Sequence, residues 1–293
     1  MSASTNPAAS RVTTTTFAAM KAAGDPIVML TAYDTPSAKI ADAAGVDSIL
    51  VGDSLGMTVL GFDSTLPVTM DDMVRHTAAV VRGTTRAMVV ADMPFMSYQA
   101  SVEDGIRNAG RLIAEGGAQA VKLEGGASVA PLVEYLIDSG IPVMGHIGLT
   151  PQSVNVFGGY KVQGRTTDAA IRLIEDCLEL EAAGAFAVVL ELVPAELAAI
   201  VSEELAIPTI GIGAGAGCDG QVQVFHDILG LGDFTPRHAK RYAEIGVAMG
   251  KAIGAYAADV RSGAFPAEKN LSHLDADVIA ALEREIPLTD EDL

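Results

Sequence analysis

Six short runs, apolar over most of their length, end in turn on an ionisable residue. IVMLTAYD, SILVGD, AMVVAD, AVKLE, PVMGH and AVVLE close on Asp34, Asp53, Asp92, Glu124, His146 and Glu191. A run this apolar reads as a strand buried on both faces, as in a parallel sheet covered by helices. Between the runs the period changes. Thr35-Pro36 reads as N-cap and first turn of a helix that ends before Gly45. Thr69 with Asp72, and Ser101 with Asp104, resemble capping boxes that use Asp for the usual Glu. Ile171, Ile174, Cys177, Leu178 and Leu180 fall at helical spacing. Strands are expected at about 27–33, 48–52, 87–91, 119–123, 142–145, 186–190 and 208–212, with an eighth near Val222 to Phe225. Strands alternating with helices predict βαβ units and a parallel sheet.

Eight such units form a (βα)8 barrel, an α/β fold whose chemistry sits at the carboxyl ends of the strands. A doubly wound sheet is the competing architecture. It carries a glycine-rich phosphate fingerprint after its first strand, where this chain has TAYDTPS, so the barrel is preferred. GAGAGCDGQ leaves little room for a seventh helix. The reading divides the chain into a flexible N-terminal segment at 1–13, a single barrel domain at 14–265 and an acidic tail at 266–293. Within that tail DADVIAALEREI can form one amphipathic helix, and the chain closes near Asp290-Glu291-Asp292. Two loops, 52–68 and 148–166, are long for a compact barrel and fall on the expected catalytic rim. Their Val, Phe, Tyr and Leu residues argue for ordered covers over a ligand.

The chain has 293 residues and a net charge of −18, which disfavours nucleic acid or an anionic membrane as a general partner. Two cysteines, Cys177 and Cys218, exclude a disulfide framework and a zinc quartet, and Cys177 is expected to be a buried free thiol. No apolar run reaches membrane-spanning length and the N-terminus lacks a secretory h-region, so a soluble cytoplasmic protein is expected.

Asp53, Asp92 and Glu124 are hard oxygen donors, a set that suits Mg²⁺ and not zinc. An α-keto acid can fill two positions of such an ion, which would stabilise an enolate. Glu191 can then remove the proton beside the ketone, and Lys122 or His146 can donate to the developing oxyanion. Blander readings stand beside these. Asp34 fits a helix cap. Lys122 and Glu124, two apart on one strand and on the same face, can form a plain internal salt bridge. GIGAG at 211–215 reads as a tight turn or a phosphate cradle, and His226-Asp227 as a hydrogen-bonded structural pair.

VGDSLGMTVLG, DSTLPVTMDDM, VKLEGG, GHIGLTPQSVN, FGGYKVQGR and GIGAG, in this order, resemble the ketopantoate hydroxymethyltransferase family, from about Thr14 to His273. The resemblance implies a barrel of the phosphoenolpyruvate/pyruvate superfamily that uses Mg²⁺. It also implies transfer of a one-carbon unit from 5,10-methylenetetrahydrofolate to 3-methyl-2-oxobutanoate, giving 2-dehydropantoate for pantothenate synthesis. By it Asp53, Asp92 and Glu124 hold the metal, Asp53, Ser54, Asp92 and Lys122 bind substrate, His146 lines the pocket and Glu191 is the proton acceptor. A large homo-oligomer, commonly a decamer, is implied as well. Two other readings are set against it. One is a carbon–carbon lyase of the isocitrate lyase/phosphonomutase superfamily, disfavoured because no rim loop carries its catalytic Cys. The other is a catalytically silent barrel that serves as a binding or assembly subunit.

Overall fold

The computed structural model describes residues 10–286. Eight parallel strands close into a barrel in sequence order: β1 (Ile27–Thr31), β2 (Ser48–Val51), β3 (Met88–Asp92), β4 (Ala120–Glu124), β5 (Val143–Gly148), β6 (Ala187–Glu191), β7 (Thr209–Ile212) and β8 (Gly220–Gln223). The (βα)8 expectation holds. β8 starts two residues before the expected Val222, because Gly220 pairs with both Ile27 of β1 and Ile210 of β7. Residues 213–219 connect β7 to β8 without a helix, and after β8 comes the short helix Phe225–Leu229.

The helix after β1 runs Thr35–Ala43, and of the two caps the sequence offers, Asp34 and Thr35, Asp34 is the N-cap. Asp34 Oδ1 accepts from Ser37 N at 2.7 Å, while the Asp34 N–H donates to Ser37 Oγ at 3.3 Å. Thr35 instead donates its hydroxyl to Ala79 O, 2.7 Å away. Thr69 and Asp72 form the reciprocal box. Ser101 caps Asp104 N at 3.1 Å, but Asp104 answers through the Ser101 hydroxyl rather than the backbone.

Alternation along the strands separates two cores. Inside the barrel lie Met29, Leu50, Met88, Val90, Ala120, Met144, Ala187, Val189 and Ile210. The lower end is plugged by Val12 and Phe17 from the N-terminal helix Thr14–Ala23 and the residues before it, with Phe17 edge-on to Phe186 at 5.8 Å. The chain is thus held before residue 14: the buried Val12 donates its N–H to Arg86 O at 2.8 Å. The rest of the segment read as flexible, residues 1–9, lies outside the described residues. Outward-facing Val89, Val121, Val143 and Leu190 pack under the helices, together with the buried thiol of Cys177 on helix Thr167–Ala182. Burial raises that thiol to about 12.

The long loops are ordered, carrying the helical turns Leu55–Thr58 and Pro151–Phe157 respectively. They meet where the Tyr160 hydroxyl donates to Met57 Sδ at 3.7 Å. The chain divides into two compact units, Met1–Ala243 with the whole barrel and Glu244–Leu293, whereas the sequence reading carried the barrel domain to 265. The second unit contains helices Ile245–Ser262 and Ala276–Glu285, the latter from the DADVIAALEREI segment. Residues 287–293, with the terminal acidic run, lie outside the described residues. Among the described residues no helix is long and apolar enough to cross a membrane.

Candidate active site

The apolar barrel interior changes to ionisable side chains one step above its last apolar layer. Asp92 stands two residues above Val90, Lys122 two above Ala120, His146 two above Met144 and Glu191 two above Val189, so all four share the inward face. Parallel register then sets the neighbours: Asp92 pairs with Lys122, Glu124 with His146, and Gly148 with Glu191. Asp53 follows β2 by two residues and is drawn to the cluster by its own N–H, which donates to Asp92 Oδ2 at 3.1 Å.

The contacts follow this order. Lys122 Nζ lies 2.5 Å from Asp92 Oδ1 and 3.2 Å from His146 Nδ1. His146 Nδ1 is 3.5 Å from Glu124 Oε1, and its Nε2 is 3.2 Å from Glu191 Oε2. Lys122 therefore pairs across strands with Asp92, not with Glu124 along its own strand as the plain salt-bridge reading had it. Asp53, Asp92, Lys122, Glu124 and His146 are all buried, and Glu191 is half-buried at the mouth. Behind Glu191 the chain turns sharply: Leu192 holds φ 46°, a rare conformation for a non-glycine residue. The Glu191 carbonyl accepts from Leu149 N at 2.8 Å and the Leu192 carbonyl from Gln163 N at 2.9 Å, so the loop after β5 braces both residues.

Burial, then the charges of Asp92 and Glu124, hold the Asp53 carboxyl well above the usual carboxylate range. Burial also raises Asp92, with Lys122 opposing it. Burial alone would lower Lys122, but Asp92, Glu124 and Asp53 outweigh it and hold the ammonium at about 12. His146 is lowered by burial and by Lys122, yet hydrogen bonds to Glu124 and Glu191 carry it to about 9. Four carboxyl groups, Asp53, Asp92, Glu124 and Glu191, thus stand against two basic side chains, Lys122 and His146, an imbalance that together with burial raises the Asp53 carboxyl.

That imbalance suits a divalent cation. Asp92 is buried with Oδ1 against Lys122 Nζ, while its Oδ2 takes the Asp53 N–H. Among the described residues no three His, Cys, Asp or Glu side chains already converge as a metal cage. Mg²⁺ does not require one, since it is usually held by one or two carboxylates and completes its shell with water and substrate. The donors Asp53, Asp92 and Glu124 fit such an ion.

Several neighbours carried no signal in the strand pattern. Gln152 donates Nε2 to Asp53 Oδ2 and its backbone N–H to Glu124 Oε2, at 2.9 and 3.0 Å. Tyr98 accepts from Glu124 N at 3.0 Å, and burial raises its phenol. Tyr33 OH lies 2.9 Å from Ser54 Oγ, which turns Ser54 toward β1. Of these, Gln152 falls inside a segment already conspicuous in the sequence, GLTPQSVN.

Other candidates fall outside the cluster. Asp34 is spent as a helix cap. GIGAG ends β7 and opens a turn in which Gly213 and Gly215 hold φ 65° and 83°. His226 and Asp227 share no side-chain hydrogen bond; the His226 ring packs 5.5 Å from Tyr33, and its buried Nδ1 has no partner.

The sequence profile described as ketopantoate hydroxymethyltransferase matches residues 11–268. The chain belongs to the ketopantoate hydroxymethyltransferase family. It is 58% identical over 275 residues to the 3-methyl-2-oxobutanoate hydroxymethyltransferase of Acetivibrio thermocellus, covering 94% of this chain and 97% of that one. It is likewise 58% identical to the enzyme of that name from Dehalococcoides mccartyi strain CBDB1, at 94% and 99% coverage. As a member of this family of hydroxymethyltransferases the chain is an enzyme, a transferase. Among solved structures its fold is similar to phosphonopyruvate hydrolase, with TM-score 0.59, 14% identity and coverage of 94% and 100%. It is similar too to 2,3-dimethylmalate lyase of the PEP mutase/isocitrate lyase superfamily, with TM-score 0.55, 17% identity and coverage of 93% and 98%. At these identities the likeness concerns the fold alone, a TIM barrel, and does not favour the lyase reading over the transferase family.

Proposed function

We propose that this enzyme transfers a hydroxymethyl group from 5,10-methylenetetrahydrofolate to 3-methyl-2-oxobutanoate, giving 2-dehydropantoate, with Mg²⁺ held by Asp53, Asp92 and Glu124. The observation that carries the reading is the placement of Glu191 beside the carboxylate face, linked through His146 to Lys122 and Glu124. The family relationship supplies the substrate, since the relatives bear the name of that reaction.

When bound, the magnesium ion supplies Lewis acidity toward the keto oxygen. Glu191 takes the methine proton as the carbon–hydrogen bond breaks. His146, 3.2 Å from Glu191 Oε2, orients that carboxylate toward the pocket. Lys122, held charged by its carboxylate neighbours, presents an ammonium to the oxygen where negative charge develops. The folate opens at one of its two methylene C–N bonds, and the carbon nucleophile bonds to the methylene carbon. Water then displaces the second C–N bond and supplies the hydroxyl oxygen. The two nitrogens take up the methine proton and one proton of that water as tetrahydrofolate leaves. Tyr160, whose phenol is raised by burial and by Glu191, joins the two long loops through Met57 beside the site.

The test is folate-dependent formation of 2-dehydropantoate by the purified chain, with and without Mg²⁺, alongside deuterium exchange at the methine carbon. Product and exchange that both require Mg²⁺ are expected. Absence of turnover with every divalent ion would instead favour a silent barrel.

A further inference from the structure

We propose that Gln152 is a positioning residue that orients Asp53 and Glu124, the two outer members of the carboxylate face, toward a shared divalent cation. The inference rests on the metal reading above and assigns a role to a residue outside that donor set.

Asp53 and Glu124 need an external tie. Asp53 follows β2 and Glu124 ends β4, with β3 between them, so no direct strand pairing sets their spacing. Both are buried and like-charged, and their mutual repulsion contributes to the raised Asp53 carboxyl. Left to themselves, two such side chains turn apart.

Gln152 spans them from a third element, the 3-10 turn Pro151–Ser153 after β5. Its backbone N–H donates to Glu124 Oε2 at 3.0 Å, and its side-chain Nε2 donates to Asp53 Oδ2 at 2.9 Å. The second Nε2 hydrogen goes to Met93 O, also at 2.9 Å. Oε1 lies 3.0 Å from Tyr98 OH and accepts from Gln99 Nε2 at 3.1 Å. Gln152 is 6% exposed with all the hydrogen-bonding capacity of its amide used, and the amide's orientation is determined: flipped, it would set an oxygen against both Asp53 Oδ2 and Met93 O.

The chemical type fits this task. A cation at 152 would neutralise the acids meant for the metal, and a carboxylate would repel them. A neutral amide fixes one oxygen of Asp53 without changing the charge of the site. Tyr98 extends the same brace, accepting from Glu124 N at 3.0 Å. Partners of this kind around metal ligands set their orientation, and losing one typically weakens metal binding about 10–100-fold.

The experiment is calorimetric titration of Mg²⁺ into the full chain without keto acid, for wild type, Gln152→Met and Gln152→Asn. Met keeps the length but not the donor; Asn keeps the amide but is one methylene too short to reach Asp53. Both retain the backbone bond to Glu124, and either alone suffices if the other does not fold. Mg²⁺ binding weakened about tenfold or more is expected in each folded variant, with exchange activity recovering as Mg²⁺ is raised. Wild-type affinity in a folded variant would overturn the proposal, even if melting temperature fell, because that pattern describes a packing role. Wild-type chain that neither binds nor needs a divalent ion would overturn the metal reading itself, a result seen before any variant is measured.

Discussion

From β3 to β6 the rim of the barrel carries Asp92, Lys122, Glu124, His146 and Glu191, laid side by side by register. From β7 to β8 the same rim carries a glycine-rich turn, 213–219, with Ile212 and Gln223 at the strand ends. Both sectors lie on the face where barrel enzymes do their chemistry. Rim position is therefore not enough to make a site. In the first sector alternation brings ionisable groups inward from neighbouring strands, where each offsets part of the desolvation of the next. In the second the chain returns in seven residues without a helix, and glycines serve a turn that other side chains would obstruct.

The largest effect expected to test this contrast is at Glu191. Glu191→Gln should slow deuterium exchange at the methine carbon by about 10²–10⁴-fold, the usual contribution of a positioned base, while keto-acid binding persists. Exchange at the wild-type rate would remove Glu191 from the base role and leave the charged sector without its centre.

Asp53→Asn should weaken the Mg²⁺ dependence of that exchange by at least about tenfold, a loss that even outer partners of a metal ligand produce. An unchanged Mg²⁺ titration would count against Asp53 as a ligand.

A matched pair of glycine substitutions compares the sectors directly. Gly148 holds φ 95°, and a Cβ there would meet the Glu191 carbonyl oxygen at 2.2 Å. Gly213 holds φ 65°, and its Cβ would meet Leu192 Cδ2 at 2.6 Å. Each change to alanine carries a left-handed backbone cost of about 1–2 kcal/mol, readable by urea unfolding. Gly148→Ala should also depress exchange, since it displaces the backbone of Glu191, whereas Gly213→Ala should move stability far more than exchange. Equal losses of exchange in both variants would erase the distinction between the sectors.

The smallest effect is expected at Asp34, a strand-end acid that never reaches the cluster. Asp34→Ala removes a helix cap and should cost about 1 kcal/mol of stability, with the Mg²⁺ dependence of exchange untouched. A shifted Mg²⁺ titration would draw Asp34 into the metal site.

The barrel was legible because eight short apolar runs alternating with helical spacing admit few architectures, and every strand appears where hydrophobicity placed it, to within a few residues. Asp92, Lys122, Glu124, His146 and Glu191 were legible for the same reason: a period of two determines which face a strand residue takes. A cap at Asp34 or Thr35 was legible as well, but adjacent Asp and Thr are both good caps, and the choice of Asp34 turns on Thr35 reaching Ala79. The partners inside the cluster were not legible. Lys122 joining Asp92 instead of Glu124 depends on the register between β3 and β4, and no local pattern encodes it. Gln152 and Tyr98 come from loops, where neither periodicity nor capping rules apply. By itself the sequence determined the fold, the inward face and the supply of acids on it. Tertiary structure alone decided which acid meets which base, because those distances are set by strand register and loop return, between residues as far apart as Asp53 and Gln152.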